Sequence, residues 1–269
     1  MLQSKTHAIA NRTIRFVEGG DLASDDLVLW LHAFPLSSAM WSAQLEATRP
    51  GWRAVAPDLA GLGGSADHPG AASIDDFARD VDALLDHLNA PRAVIAGLSM
   101  GGYAAFACHR LLPARIRGLI LADTRSSADT AAGRTARETM RGVLESRGPR
   151  GVADEMLPKL LGPTTHQSRP GVGVAVRALI EANTATGIDR AILRLRDRPD
   201  ASAQLPHISV PALVIVGEED GITPVDDARA LARGIPHASL TILPGAGHLP
   251  NLETPDAFNQ VVNSWLGNV

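Results

Sequence analysis

A single cysteine, Cys108, stands among 269 residues. That excludes an internal disulfide framework and any cysteine-built metal site. Long apolar runs are missing as well: the longest, LVLWLHAF, is far short of the roughly 20 residues a membrane helix needs. The first residues, MLQSKTHAIANRTIRF, hold no apolar stretch ahead of a small-residue cleavage site, so no secretory signal is visible and a cytoplasmic location is expected by default. Neither sign of charge dominates, the formal net charge being -4, which argues against nucleic acid or an anionic membrane as partner. Internal repeats and low-complexity tracts are also lacking.

What is present suits a soluble globular chain able to bury a sizeable core, with 45% hydrophobic and 20% charged residues. The length fits one large α/β domain with an insertion. Short apolar runs recur at Leu27–Leu31, Arg53–Ala56, Ala93–Ala96, Leu119–Ala122, Ala212–Val216 and Leu240–Leu243, and read as buried strands. Between them Phe77, Val81, Leu84, Leu85 and Leu88 form the stripe of a helix packed on a sheet, with Ser73 and Asp76 ahead of it as an N-cap and its acid. Thr223-Pro224 and Thr254-Pro255 repeat a hydroxyl cap followed by proline at the first helical position. Phe258, Val261, Val262, Trp265 and Leu266 then make the apolar face of a last helix. Strands alternating with helices imply an α/β fold with a mostly parallel sheet covered on both faces.

The alternation breaks between Ser127 and Pro206. Gly148-Pro149, Gly162-Pro163, Pro170-Gly171 and Pro199 divide helix-like pieces there, and no strand is evident. The expected division is therefore a core of residues 1–126 and 207–269 with a helical insert, 127–206. From Ser127 to Asp200 the insert carries twelve basic residues against nine acids, net +3, leaving -7 for the rest. A solvated surface accounts for this most simply; docking on the body or attraction of anionic substrates are the alternatives.

Ser99 stands in Gly97-Leu98-Ser99-Met100-Gly101, directly after the strand AVIAG and before the helix-like YAAFACHRLL. A sharp strand-to-helix turn strains the serine backbone, and glycines two positions either side remove side chains that would clash. The turn also sets the serine at a helix N-terminus, whose partial positive charge favours an anionic transition state. A serine hydroxyl needs a neighbouring base. Of nine histidines, His248, in the loop Gly245-Ala246-Gly247-His248-Leu249-Pro250 after the final strand, is placed to serve. His7, His68, His87, His109, His166, His207 and His237 read as surface or packing residues. The base needs an acid to hold its tautomer. Asp220 follows the strand ALVIVG and precedes His248, giving the order serine, acid, histidine. Glu218 and Glu219 compete by proximity, and Asp123, ending the strand LILA, is the genuine rival.

Acyl transfer also needs amide donors aimed at the developing oxyanion, each worth about 3 kcal/mol. The amide of Met100 and that of Phe34, in His32-Ala33-Phe34-Pro35 after the strand LVLWL, are the candidates. Their side chains are the candidate substrate-binding groups, and His32 reads as a brace for that loop. One tyrosine, five phenylalanines and an insert rich in Ala, Leu and Val point to a compact, apolar acyl group.

His32-Ala-Phe-Pro, Asp58-Leu-Ala-Gly-Leu-Gly-Gly-Ser65, Gly-Leu-Ser99-Met-Gly-Gly, Gly-Glu-Glu-Asp220 and Gly-His248-Leu-Pro together resemble the α/β-hydrolase superfamily. Within it the chain is similar to the esterase, enol-lactonase and perhydrolase group related to 3-oxoadipate enol-lactonase. The resemblance spans nearly all of the chain except the insert. It implies an eight-stranded sheet, a helical cap over the site, and no metal or organic cofactor. It also assigns nucleophile, acid and base roles to Ser99, Asp220 and His248 and a structural role to the Asp58–Ser65 loop. Related sequences usually carry glycine where this one has Ala33; alanine tolerates positive φ poorly, so an altered loop is expected. A serine nucleophile sets the chain apart from haloalkane dehalogenases and epoxide hydrolases, which attack with aspartate.

The expected reaction is hydrolysis of a small-molecule carboxylic ester or lactone through an acyl-enzyme. Alternatives are a cofactor-free perhydrolase or haloperoxidase, a C–C bond hydrolase, and, from another class, a non-catalytic small-molecule receptor. A homo-oligomer is left open.

Overall fold

The computed structural model describes residues 2–9 and 12–269. It has eight strands: β1 (Gln3–Ile9), β2 (Arg12–Gly20), β3 (Leu27–Leu31), β4 (Arg53–Pro57), β5 (Ala93–Leu98), β6 (Ile116–Ala122), β7 (Ala212–Gly217) and β8 (Ala238–Leu243). They form one sheet in the order β1-β2-β4-β3-β5-β6-β7-β8. The pairings from β4 through β8 are parallel, whereas β2 joins β4, and β1 joins β2, antiparallel. The six apolar runs of the sequence are strands β3 to β8. β3, β5 and β7 are buried along their whole length, whereas β8, at the edge, is only part-buried, as interior parallel strands and edge strands require. β1 and β2 show no such run. In β1, Gln3, Ser4, Lys5 and Thr6 are all exposed, so no apolar periodicity marks it.

The first helices are α1 (Ser42–Glu46), α2 (Asp75–His87) and α3 (Met100–Leu111). Ser73 Oγ accepts from Asp75 N–H and Asp76 Oδ2 from Ser73 N–H, at 3.2 Å each, a reciprocal cap at the expected place on α2. α2 packs on α3, and α3 on β5 and β6. Cys108 is buried in α3, and burial pushes its thiol pKa up.

Between β6 and β7 lie α4 (Ala131–Leu160), α5 (Pro163–Ser168), α6 (Pro170–Glu181) and α7 (Ala185–Arg196), with no strand among them. α4 is two helices meeting at Gly148, whose φ of 64° breaks the run ahead of Pro149. α5 and α6 each begin at a proline, Pro163 and Pro170. α8 (Val225–Gly234), α9 (Pro250–Glu253) and α10 (Pro255–Leu266) complete the chain. Trp30 of β3, Trp41 and Phe258 of α10 cluster with ring centroids 4.7 to 6.3 Å apart, fixing α10 to the sheet.

Two expected caps take other partners. Thr254 donates its hydroxyl to Pro250 O at 3.1 Å, although Pro255 does open α10. Thr223 caps nothing, and Pro224 rather than a helical residue precedes α8; the Thr223 hydroxyl is drawn to a carboxylate instead. Among the described residues no helix is long and apolar enough to cross a membrane.

Candidate active site

Strands β3, β5, β6, β7 and β8 all run parallel, so their carboxyl ends open on one edge, where the loops bearing His32, Ser99, Asp123, Asp220 and His248 begin. Ser99 links β5 to α3 with φ 55° and ψ -110°. A non-glycine residue there costs on the order of 1–3 kcal/mol and persists only where its surroundings impose it. Here they do. Ser99 N–H donates to Ala122 O, and Thr124 Oγ1 donates to Ser99 O, both at 2.9 Å. A Cβ on Gly97 would lie 2.1 Å from Gly101 O, and one on Gly101 would lie 2.0 Å from Leu31 O. The flanking glycines are thus required by close backbone approach.

His248 follows β8 and is buried. Its Nδ1 donates to Asp220 Oδ2 at 2.8 Å, which leaves Nε2 as the nitrogen with a free lone pair. Asp220 accepts on both oxygens: Oδ2 also takes the Thr223 hydroxyl at 2.6 Å, while Oδ1 takes Ile222 N–H at 2.8 Å and Thr223 N–H at 3.1 Å. Burial disfavours its charge, but His248, Thr223 and the Ile222 amide outweigh burial and hold the pKa down to about 2. Of the rival acids, Glu218 is exposed and Glu219 bonds Thr164. Asp123 Oδ1 accepts from Gly217 N–H at 2.9 Å. Among these acids Asp220 alone bonds His248.

Ser99 and His248 share the wall of a cavity of about 330 Å³ with Phe34, Met140, Met156 and Leu195 and with the charged Arg125, Asp129, Arg137, Glu155 and Lys159. Half of that wall belongs to α4 and α7. Phe34 lines it as expected. Met100 does not: its side chain is fully buried in the core, so only its backbone can serve the site. Neither the Phe34 nor the Met100 amide donates to a protein acceptor among the described bonds, and Met100 opens α3. Ala33 is not at positive φ, so the loop has no need of glycine there. His32 braces it, Nδ1 donating to Ala33 O at 3.0 Å and Nε2 accepting from Leu59 N–H at 2.9 Å; burial lowers its pKa and keeps it neutral. Asp58 accepts from Ser38 N–H, Gly64 N–H and Arg15 at 2.7 to 2.8 Å, a structural loop as the resemblance implies.

Asp123, Asp220 and His248 are the one trio of potential metal-binding side chains that converges among the described residues, within 4.8 Å of one another. The hydrogen bond between Asp220 and His248 accounts for the closeness of that pair.

The family model described as alpha/beta hydrolase fold matches residues 26–255. The chain belongs to this family. It is 31% identical over 230 residues, 85% of this chain and 84% of the relative, to 3-oxoadipate enol-lactonase 2 of Acinetobacter baylyi. It superposes with TM-score 0.91 and 36% identity on a thermophilic esterase of Thermogutta terrifontis, solved with malate bound, over 99% of this chain and 98% of that one. The enol-lactonase of Burkholderia xenovorans follows at TM-score 0.90 and 25% identity, over 98% and 100%. The protein is thus an α/β hydrolase of the esterase and enol-lactonase-like group.

Two contributors to this hydrolase site gave no signal in the sequence. Thr223 reads as a helix cap because Thr-Pro is a capping pair, yet its hydroxyl serves Asp220. Glu253, five residues past His248, is fully buried and accepts from Gly247 N–H and Leu249 N–H, at 3.0 Å each, and from Gly162 N–H at 2.8 Å. It thus grips the histidine loop on both sides of His248 and ties it to the start of α5. Only the three-dimensional return of the chain reveals that role.

Proposed function

We propose that this hydrolase cleaves the carboxylic ester or lactone bond of a small molecule through an acyl-enzyme on Ser99. The carrying observation is the strained Ser99 at the head of α3, opening on the same cavity as His248, whose Nδ1 is bonded to Asp220. In this reading His248 Nε2 takes the Ser99 proton as Oγ attacks the carbonyl, and Asp220 stabilises the imidazolium that results. The amides of Met100 and Phe34 receive the oxyanion. His248 then hands its proton to the leaving alcohol and activates the water that releases the acid.

Residues 127–206 act as a cap, supplying Met140, Met156 and Leu195 to the cavity. Its volume and its largely apolar wall suit a small acyl group. The resemblance to an enol-lactonase and to an esterase supports the ester or lactone class. The test is hydrolysis of p-nitrophenyl esters of graded acyl length together with lactones, with peroxide and carbamates as competing chemistry. Short esters or lactones should turn over, and Ser99→Ala should abolish that turnover. Full activity of Ser99→Ala would overturn the reading.

A further inference from the structure

Asp123 directly follows β6, between two residues that hold the Ser99 backbone: Ala122 O accepts from Ser99 N–H, and Thr124 Oγ1 donates to Ser99 O. Its own backbone, at φ 45°, donates to Ile215 O at 2.9 Å, and its Oδ1 accepts from Gly217 N–H. One short turn therefore joins the serine loop to the acid loop. The side chain is fully buried, and Oδ2 has no hydrogen-bond partner of the ordinary donor kind. The carboxylate of Asp220 faces it, ligand atoms of Asp123, Asp220 and His248 lying within 4.8 Å of one another. The other titratable groups facing it are His248, from the loop after β8, and Glu253 of α9. No arginine or lysine bonds it among the described residues.

Two carboxylates buried against each other cannot both ionise without a compensating cation. The donors decide which keeps the charge. Asp220 has four, His248 Nδ1, the Thr223 hydroxyl and two amides, whereas Asp123 has one amide. We propose that Asp123 is a neutral carboxylic acid that donates its Oδ2 proton to Asp220, a positioning residue that acts on His248 through Asp220. Burial, first, and the charge of Asp220, second, raise the Asp123 pKa well above the ordinary carboxylate value, against the pull of the Gly217 amide. Its proton supplies the orphaned oxygen with a bond, spreads the charge of Asp220 and fixes the plane in which that carboxylate meets the imidazole. The proposal rests on the roles of Ser99, Asp220 and His248 given above.

The experiment pairs infrared difference spectroscopy with pH profiles. The difference between the parent enzyme and Asp123→Asn at neutral pH should show the carbonyl stretch of a protonated carboxylic acid present only in the parent; its absence overturns the proposal. Asp123→Asn keeps an N–H donor toward Asp220, and its uncharged amide matches the proposed state, so the acid limb of kcat/KM should stay where the parent has it. Asp123→Val removes the donor, leaves a denser charge facing the imidazolium, and should move that limb up by about one pH unit. A fall of about the same size in Asp123→Asn would mean that Asp123 is ionised, which overturns the proposal, as does an unmoved limb in a folded Asp123→Val. The infrared band needs no turnover and decides the matter alone if Asp123→Val does not fold. Fluorophosphonate labelling of the parent, run alongside, separates failure of the Ser99 reading from failure of this one.

Discussion

The Thr223 hydroxyl and the His248 imidazole donate to the same oxygen of Asp220, at 2.6 and 2.8 Å. A hydrogen bond to a charged group is worth about 1.5–3 kcal/mol, so Thr223→Val should lower kcat/KM by about tenfold or more while leaving the helix α8 intact. Steady-state kinetics beside circular dichroism checks both halves: a loss of activity, an unchanged helical spectrum and a melt lowered by the lost buried hydrogen bond are the expected result. Glu253 makes a different demand. Its two oxygens accept three backbone N–H groups, and an amide in its place would turn one oxygen into a donor facing a donor. Glu253→Gln should therefore lose about 1–3 kcal/mol of stability and reduce kcat more than it raises KM, because the loop that carries His248 loosens. Denaturant unfolding and initial rates would show it.

At the level of elements, the turn between β5 and α3 is where sequence and structure agree most closely, and the reason is physical. Gly97 is demanded by the backbone of Gly101 and Gly102 within the turn itself, and Gly101 by the neighbouring strand β3, so the pattern follows from the packing of any such strand-to-helix turn on its sheet. Gly101→Ala places a Cβ against Leu31 O; overpacking of this kind costs about 1–3 kcal/mol, and the melting temperature should fall together with activity. β3 to β7 are legible because strands buried on both faces must be apolar nearly throughout, and the part-buried edge strand β8 still carries Leu240, Ile242 and Leu243. Neither β1 nor β2 makes a continuous apolar run: β1 is an exposed edge strand, and β2 buries the alternate residues Ile14, Phe16 and Glu18, one of them charged. The sequence also misleads on Thr223, because a local rule about Thr-Pro competes with a partner brought in by the fold. Asp220 was distinguishable from Asp123 only by loop position; the bond to His248 separates them. Met100 carries the same lesson, its amide and its side chain belonging to different surroundings.

Across the whole molecule, the insert is held to the core by buried charge, and its excess of arginine takes on meaning there. Arg194 of α7 is fully buried, bonded to Asp67 and Asp76 and stacked over Phe77 at 5.1 Å, while Arg190 also bonds Asp67. Two of the insert's arginines thus dock it on the body, and many of the others pair within the insert. Removing one member of a buried ion pair costs about 3–5 kcal/mol, so Arg194→Met should lower the melting temperature markedly. Burial disfavours the charge of Asp67, but Arg194 and Arg190 outweigh it and hold its pKa below the ordinary 3.8. A carboxylate depressed in the folded state contributes stability above its unfolded value and loses it as pH falls through the folded one. Acidification below about 3.8 should thus weaken the docking of α7 in the parent, and thermal melts across that range should fall less steeply in Arg194→Met.

This docking matters because α4 and α7 supply half the wall of the cavity that Ser99 and His248 face. Inside that wall the proposed nucleophile is Ser99. The most direct test of that role is peptide mapping by mass spectrometry after exposure to a fluorophosphonate, with Ser99→Ala and His248→Ala in parallel. One adduct is expected, on the peptide that carries Ser99, formed rapidly by the parent, far more slowly by His248→Ala and not at all by Ser99→Ala. An adduct on another serine, or equal labelling of Ser99→Ala, would contradict that role.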